Sequence, residues 1–244
     1  MGIILFFISS IGVILFVKKK ETKKYFNKFS EFFGILIIFL LINNLVDYLL
    51  FRNKIYFINV LLSVLGLALD MFLGSVGMYY YKCLGIDASP IFYHQRYSKQ
   101  IILKFIKDTS TVLLIFFVIS ATMLFAYTGQ IFKDNIFSKF NPTPLISLFI
   151  ISLDEETFIR LFLLGTILYL FKKFSINQIS AIIFTSLFWS LSHISFTDFH
   201  IVKFIQINVF GVVLGYYMIK SGWETCFTAH GIYNIFAWLF LRNF

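Results

Sequence analysis

The chain has 244 residues, 59% of them apolar and only 14% charged, with a mean hydropathy of +0.85. A soluble domain lies nearer half apolar and a quarter charged, so an ordinary cytosolic globule is excluded. The net charge of +9 does not mark a nucleic-acid binder, because the 21 Lys and Arg fall almost entirely in short loops between apolar spans.

Those spans are long enough to cross a ~30 Å hydrocarbon layer at ~1.5 Å per residue. They predict an all-α, polytopic membrane protein of about eight transmembrane helices, at 2–17, 30–51, 55–81, 110–132, 145–171, 176–196, 201–219 and 224–241. The alternating segments of about 10 residues that build a membrane barrel do not occur. The first run has no charge ahead of it and no small-residue cleavage site behind it, and reads as a retained helix rather than a signal peptide. Lys18, Lys19, Lys20, Lys23, Lys24 and Lys28 form the first loop, and Arg52-Asn53-Lys54 the second. Residues 82–109 read as a longer loop, with Pro90 and an amphipathic stretch around Ile101–Ile106 on the membrane surface. Asn141-Pro142-Thr143-Pro144 breaks the chain before the fifth span. With the first loop inside, 14 of the 21 basic residues face the cytoplasm and both termini face outward. Cys83 and Cys226 have no ligand-like spacing and imply neither a disulfide framework nor a zinc ribbon.

Several ionisable residues lie inside these apolar spans: Asp47, Asp70, Asp154, Glu155, Glu156, Arg160, His193 and His230. Each costs at least ~2.5–3.5 kcal/mol at mid-bilayer, so such groups pair, line a wet cavity or work. Asp47 and Asp70 are single acids and read as structural, paired with a donor on a neighbouring helix or close to a helix end. The fifth span differs, because Asp154-Glu155-Glu156-x-x-x-Arg160 sets three acids and an arginine in one apolar helix. Arg160 follows Glu156 by four residues, which predicts a shared face and a hydrogen-bonded ion pair. Glu155 points about 100° away and is left without that partner. One buried ion pair accounts for two of these charges, not four. His193 closes the sixth span, and His230 and Asn234 lie one helical turn apart in the eighth.

Carboxylate, imidazole and amide groups around a hydrated cavity are suited to amide hydrolysis. That chemistry needs a base for water, donors for the oxyanion and an acid for the leaving amine. Glu155 is the candidate base; His193 shares the water, and His230 and Asn234 donate to the oxyanion or position the carbonyl. Alternatively, Glu156, His193 and His230 hold a catalytic Zn²⁺ with an open position, assembled from separate helices since no His-Glu-x-x-His is present. Gly211-x-x-x-Gly215 reads as a close approach between two membrane helices. Tyr127, Trp223 and Trp238 read as interfacial anchors.

Taken in order, Glu155-Glu156-x-x-x-Arg160, Trp189-x-x-x-His193 and His230-x-x-x-Asn234 resemble the motifs of the CPBP intramembrane protease family. That family includes the type II CAAX prenyl endopeptidases and the bacterial bacteriocin-processing and self-immunity proteins of the Abi group. The stretch from Gly211 through Trp223 to Asn234 resembles its last motif region, and the likeness covers about residues 145–240. It implies a CAAX-protease-like helical core, with 1–140 as N-terminal transmembrane helices and cytoplasmic loops and 141–244 as the catalytic region of one integrated membrane domain. It implies Glu155 as the base, Glu156 and Arg160 as its supporting pair, and His193, His230 and Asn234 as the other site residues. Both a metalloprotease and a metal-free, glutamate-activated water are proposed for the family. One departure is Trp189, where the family usually carries phenylalanine.

The residues therefore point to an intramembrane endopeptidase in a cell membrane, the bacterial cytoplasmic membrane given a composition rich in Phe, Ile, Lys, Asn and Tyr. Its expected partners are the lipid bilayer and a hydrophobic peptide or membrane-protein substrate, such as a peptide precursor, pheromone or bacteriocin leader. Two other readings stand beside it: an ion-coupled transporter using its intramembrane acids, and a non-catalytic self-immunity or scaffold protein.

Overall fold

A computed structural model of the chain describes residues 21–51, 57–91, 98–126, 145–193 and 201–241. Within them lie α1 (Thr22–Phe51), α2 (Phe57–Leu84), α3 (Lys99–Ala126), α4 (Leu145–Glu156), a π-helical segment (Thr157–Leu164), α5 (Gly165–Lys173), α6 (Gln178–Ser192), α7 (Ile201–Ser221) and α8 (Trp223–Leu241). There is no strand among the described residues, so the all-α class stands. Seven predicted spans fall on these elements, with α4, the π segment and α5 together making the fifth. The run 2–17, the Asn141–Pro144 break and Tyr127 lie outside the described residues. Among the described residues, two stretches are long and apolar enough to cross a membrane by length and composition, Val64–Leu84 within α2 and Ile201–Ser221.

Two boundaries differ from the sequence reading. Lys23, Lys24 and Lys28 belong to the first turns of α1 rather than to a loop. Residues 101–106 are not a separate surface stretch but the start of α3. The reason is local: no Gly or Pro interrupts 99–126, and the Ser98 hydroxyl accepts a hydrogen bond from the Ile101 N–H at 3.3 Å, capping the helix. Ile102, Leu103 and Ile106 are exposed there.

Helix α1 packs on α2, α6 on α7, α4 on α8, and α2 along the π segment. The α6–α7 contact uses the Gly211 and Gly215 pair as a close approach. A Cβ on either would lie 2.8 Å from Ser186 Cβ or Ile182 Cγ2. Trp223 is not an interfacial anchor. It is 1% exposed, because it sits at the start of α8 among Phe29, Phe32 and Phe227, with ring centroids 4.6–6.0 Å away.

The turn between α7 and α8 depends on Gly222, whose φ of +94° suits glycine. It receives the segment after α2: Trp223 N–H donates to the Ala88 carbonyl at 2.8 Å. The Glu224 carboxylate accepts from the Ser89 hydroxyl (2.5 Å) and the Ile91 N–H (3.2 Å).

The π segment is held by α2. A Cβ at Gly77 would overlap the Leu161 carbonyl oxygen, so only glycine lets the two backbones meet there. One turn on, the buried Tyr81 hydroxyl donates to the Arg160 carbonyl at 2.8 Å. Stretches of π-helix are rare and concentrate at functional sites. This one begins directly after Glu156.

Candidate functional site

Four elements bring the site together: the end of α4, the π segment, the end of α6 and the middle of α8. Glu156 is sealed, with no side-chain exposure. Its Oε1 accepts a hydrogen bond from His230 Nδ1 at 2.9 Å, and its Oε2 lies 3.5 Å from Arg160 Nε. The expected hydrogen-bonded Glu156–Arg160 pair is therefore an ion pair without a hydrogen bond. The two side chains still share a face across the start of the π segment, as the four-residue spacing predicts, but no hydrogen bond forms from Arg160. Its guanidinium instead lies over the Trp189 ring, 4.5 Å from the centroid.

Glu155 faces a different way and does have partners. Its Oε2 accepts from Trp189 Nε1 at 3.0 Å and lies 3.5 Å from His193 Nε2. Side-chain exposures of 26% for Glu155 and 28% for His193 make this the open part of the site. His193 is the C-terminal cap of α6, and its Nδ1 lies 2.9 Å from the Trp189 carbonyl. A carbonyl only accepts, so the ring carries a proton on Nδ1, and Nε2 is the nitrogen turned toward Glu155.

Asn234 and His230 lie one turn apart on α8, as Ser152 and Glu156 do on α4. Asn234 Nδ2 donates to the Ser152 hydroxyl at 2.8 Å, and that hydroxyl donates to the Leu148 carbonyl at 2.9 Å. This chain of donors fixes the Asn234 amide and leaves one N–H for another acceptor. Ser152 was not among the residues singled out in the sequence, although its four-residue spacing from Glu156 mirrors that of His230 and Asn234.

Trp189 joins the two halves. Its ring meets His193 and His230 edge-on, at centroid distances of 5.1 and 5.5 Å, and covers Arg160. Through it Glu155, Glu156, Arg160, His193 and His230 form one connected group. Glu156, His193 and His230 do not converge as metal ligands, because each histidine faces a different glutamate. No group of three or more His, Cys, Asp or Glu suited to a metal ion occurs among the described residues. The acids outside this group behave differently. Asp70 is buried, but its carboxyl faces that of Asp154 rather than the donor expected on a neighbouring helix. The Asp47 side chain lies outside the described residues.

Residues 138–236, less than half of the chain, match one protein-family model, described as Type II CAAX prenyl endopeptidase Rce1-like. This stretch, which carries both glutamates, Arg160, both histidines and Asn234, is similar to that family, and the match supports the CPBP/CAAX proteases, a membrane-embedded family of peptidases. No curated protein and no solved structure matches the chain.

Proposed function

We propose that the protein is a multi-pass intramembrane endopeptidase of a bacterial cytoplasmic membrane, with about eight spans. On this reading it hydrolyses a peptide bond in a hydrophobic or membrane-associated peptide. The observation that supports this best is the open pairing of Glu155 with His193, directly beside a sealed Arg160–Glu156–His230 group.

In this reading a water sits against Glu155 and His193 Nε2. Glu155 takes its proton as the oxygen attacks the substrate carbonyl carbon. The tetrahedral oxyanion is met by the Asn234 N–H that Ser152 leaves free, with His230 positioning the carbonyl. Glu155 then returns its proton to the amine as the C–N bond breaks, giving a carboxylic acid and an amine. Glu156 and Arg160 do not touch substrate; they hold His230 and neutralise each other. No step is assigned to Zn²⁺, since the three residues that would hold it do not converge.

The test is comparative peptidomics of membranes from wild-type and Glu155→Ala cells. Hydrophobic peptides present only with the wild type are expected. Identical peptide sets, with the variant protein present in equal amount, would falsify the reading.

A further inference from the structure

We infer that Trp189 is a positioning residue that decides which oxygen of Glu155 acts as the base; this rests on the endopeptidase reading. The indole N–H and the His193 ring both lie against Oε2, at 3.0 and 3.5 Å. The other carboxylate oxygen, Oε1, takes no hydrogen bond from the described residues, although its carboxylate is a quarter exposed. An oxygen already engaged by a donor has one fewer lone pair and is a weaker proton acceptor. Oε1 is therefore the reacting oxygen, and Trp189 keeps the carboxylate from turning.

The same residue sets the other reacting partner. The Trp189 carbonyl holds a proton on His193 Nδ1 at 2.9 Å, which fixes the ring with Nε2 facing Glu155. One residue thus fixes the carboxylate through its side chain and the imidazole through its backbone. The ring is itself immobilised: Trp189 is 3% exposed, and its indole lies between the Arg160 guanidinium and the two imidazoles. A phenylalanine here would keep the ring contacts and the backbone carbonyl, and would lose only the N–H.

Two variants isolate that N–H: Trp189→Phe, and replacement of Trp189 by 3-benzothienylalanine, which substitutes sulfur for N–H in the same shape. With purified full-length protein and a cleaved hydrophobic peptide, both should lower kcat about 10- to 100-fold, the range of a hydrogen bond to a charged group, with KM unchanged. Independently of activity, the ¹⁵N indole resonance of Trp189, assigned by its absence in Trp189→Phe, should move on Glu155→Gln. Those of Trp223 and Trp238 should stay in place. A resonance that does not respond overturns the inference, as does wild-type kcat in both variants. A responsive resonance in a protein that cleaves nothing instead overturns the proposed function and leaves the hydrogen bond standing.

Discussion

Glu155 keeps about a quarter of its side chain open and shares one oxygen between an indole N–H and an imidazole. Glu156, one residue on, is fully enclosed between Arg160 and His230. The ~100° step along a helix turns the two carboxylates into different surroundings, and the surroundings assign different work. A charge shut away from water survives only beside compensating charge, so Glu156 is tied to what holds the helices together. A charge that must meet water and substrate has to stay reachable. In the proposed mechanism the two neighbouring acids do not duplicate a function but divide holding from reacting.

The largest expected effect on the enclosed side comes from removing its cation. Arg160→Met leaves Glu156 buried without its counter-charge and should lower stability by ~3–5 kcal/mol, read by unfolding in a graded detergent–denaturant titration. An unchanged midpoint would show that the enclosed group carries no structural burden.

A smaller loss should follow from disturbing the backbone that presents Arg160. Gly77→Ala places a methyl group on the Leu161 carbonyl and should cost ~1–3 kcal/mol by the same titration. Gly34→Ala, on an open surface of α1, is the control and should be neutral or slightly stabilising, by up to ~1 kcal/mol. Equal effects from both would remove the close contact between α2 and the π segment from the account.

The smallest effect belongs to Tyr81→Phe, which removes the hydroxyl donor on the Arg160 carbonyl and keeps the buried ring. Interhelical hydrogen bonds in membrane proteins average ~0.6 kcal/mol, so a loss of that order is expected. A loss as large as that of Arg160→Met would mean that the π turn, rather than the charge pair, dominates the enclosed side.

Composition sufficed for the helical class, since so few charges in so many long apolar runs leave little else. Four-residue spacing likewise showed that His230 and Asn234 share a face, because α8 is regular there. The same rule held for Glu156 and Arg160, which form an ion pair at 3.5 Å, but spacing could not show that no hydrogen bond joins them. Counted at ~1.5 Å per residue from one membrane face, Glu155 in the predicted fifth span would lie ~15 Å deep and His193 in the sixth ~5 Å. Yet their side chains lie 3.5 Å apart. That reckoning starts every helix in one plane and ignores how far each tilts. Trp189 was visible only as an aromatic where phenylalanine is usual; its N–H gained meaning once Glu155 was seen beside it. Gly77 gave no signal at all, since its partner is a backbone carbonyl far along the chain.

The central claim is that Glu155, and not its neighbour, activates the water. The direct measurement is the cleavage rate of a hydrophobic peptide by purified Glu155→Gln, compared with wild type at equal folded fraction. Loss of a general base predicts a rate ~10²- to 10⁴-fold lower with an unchanged unfolding midpoint. Wild-type turnover by the folded variant would contradict the account.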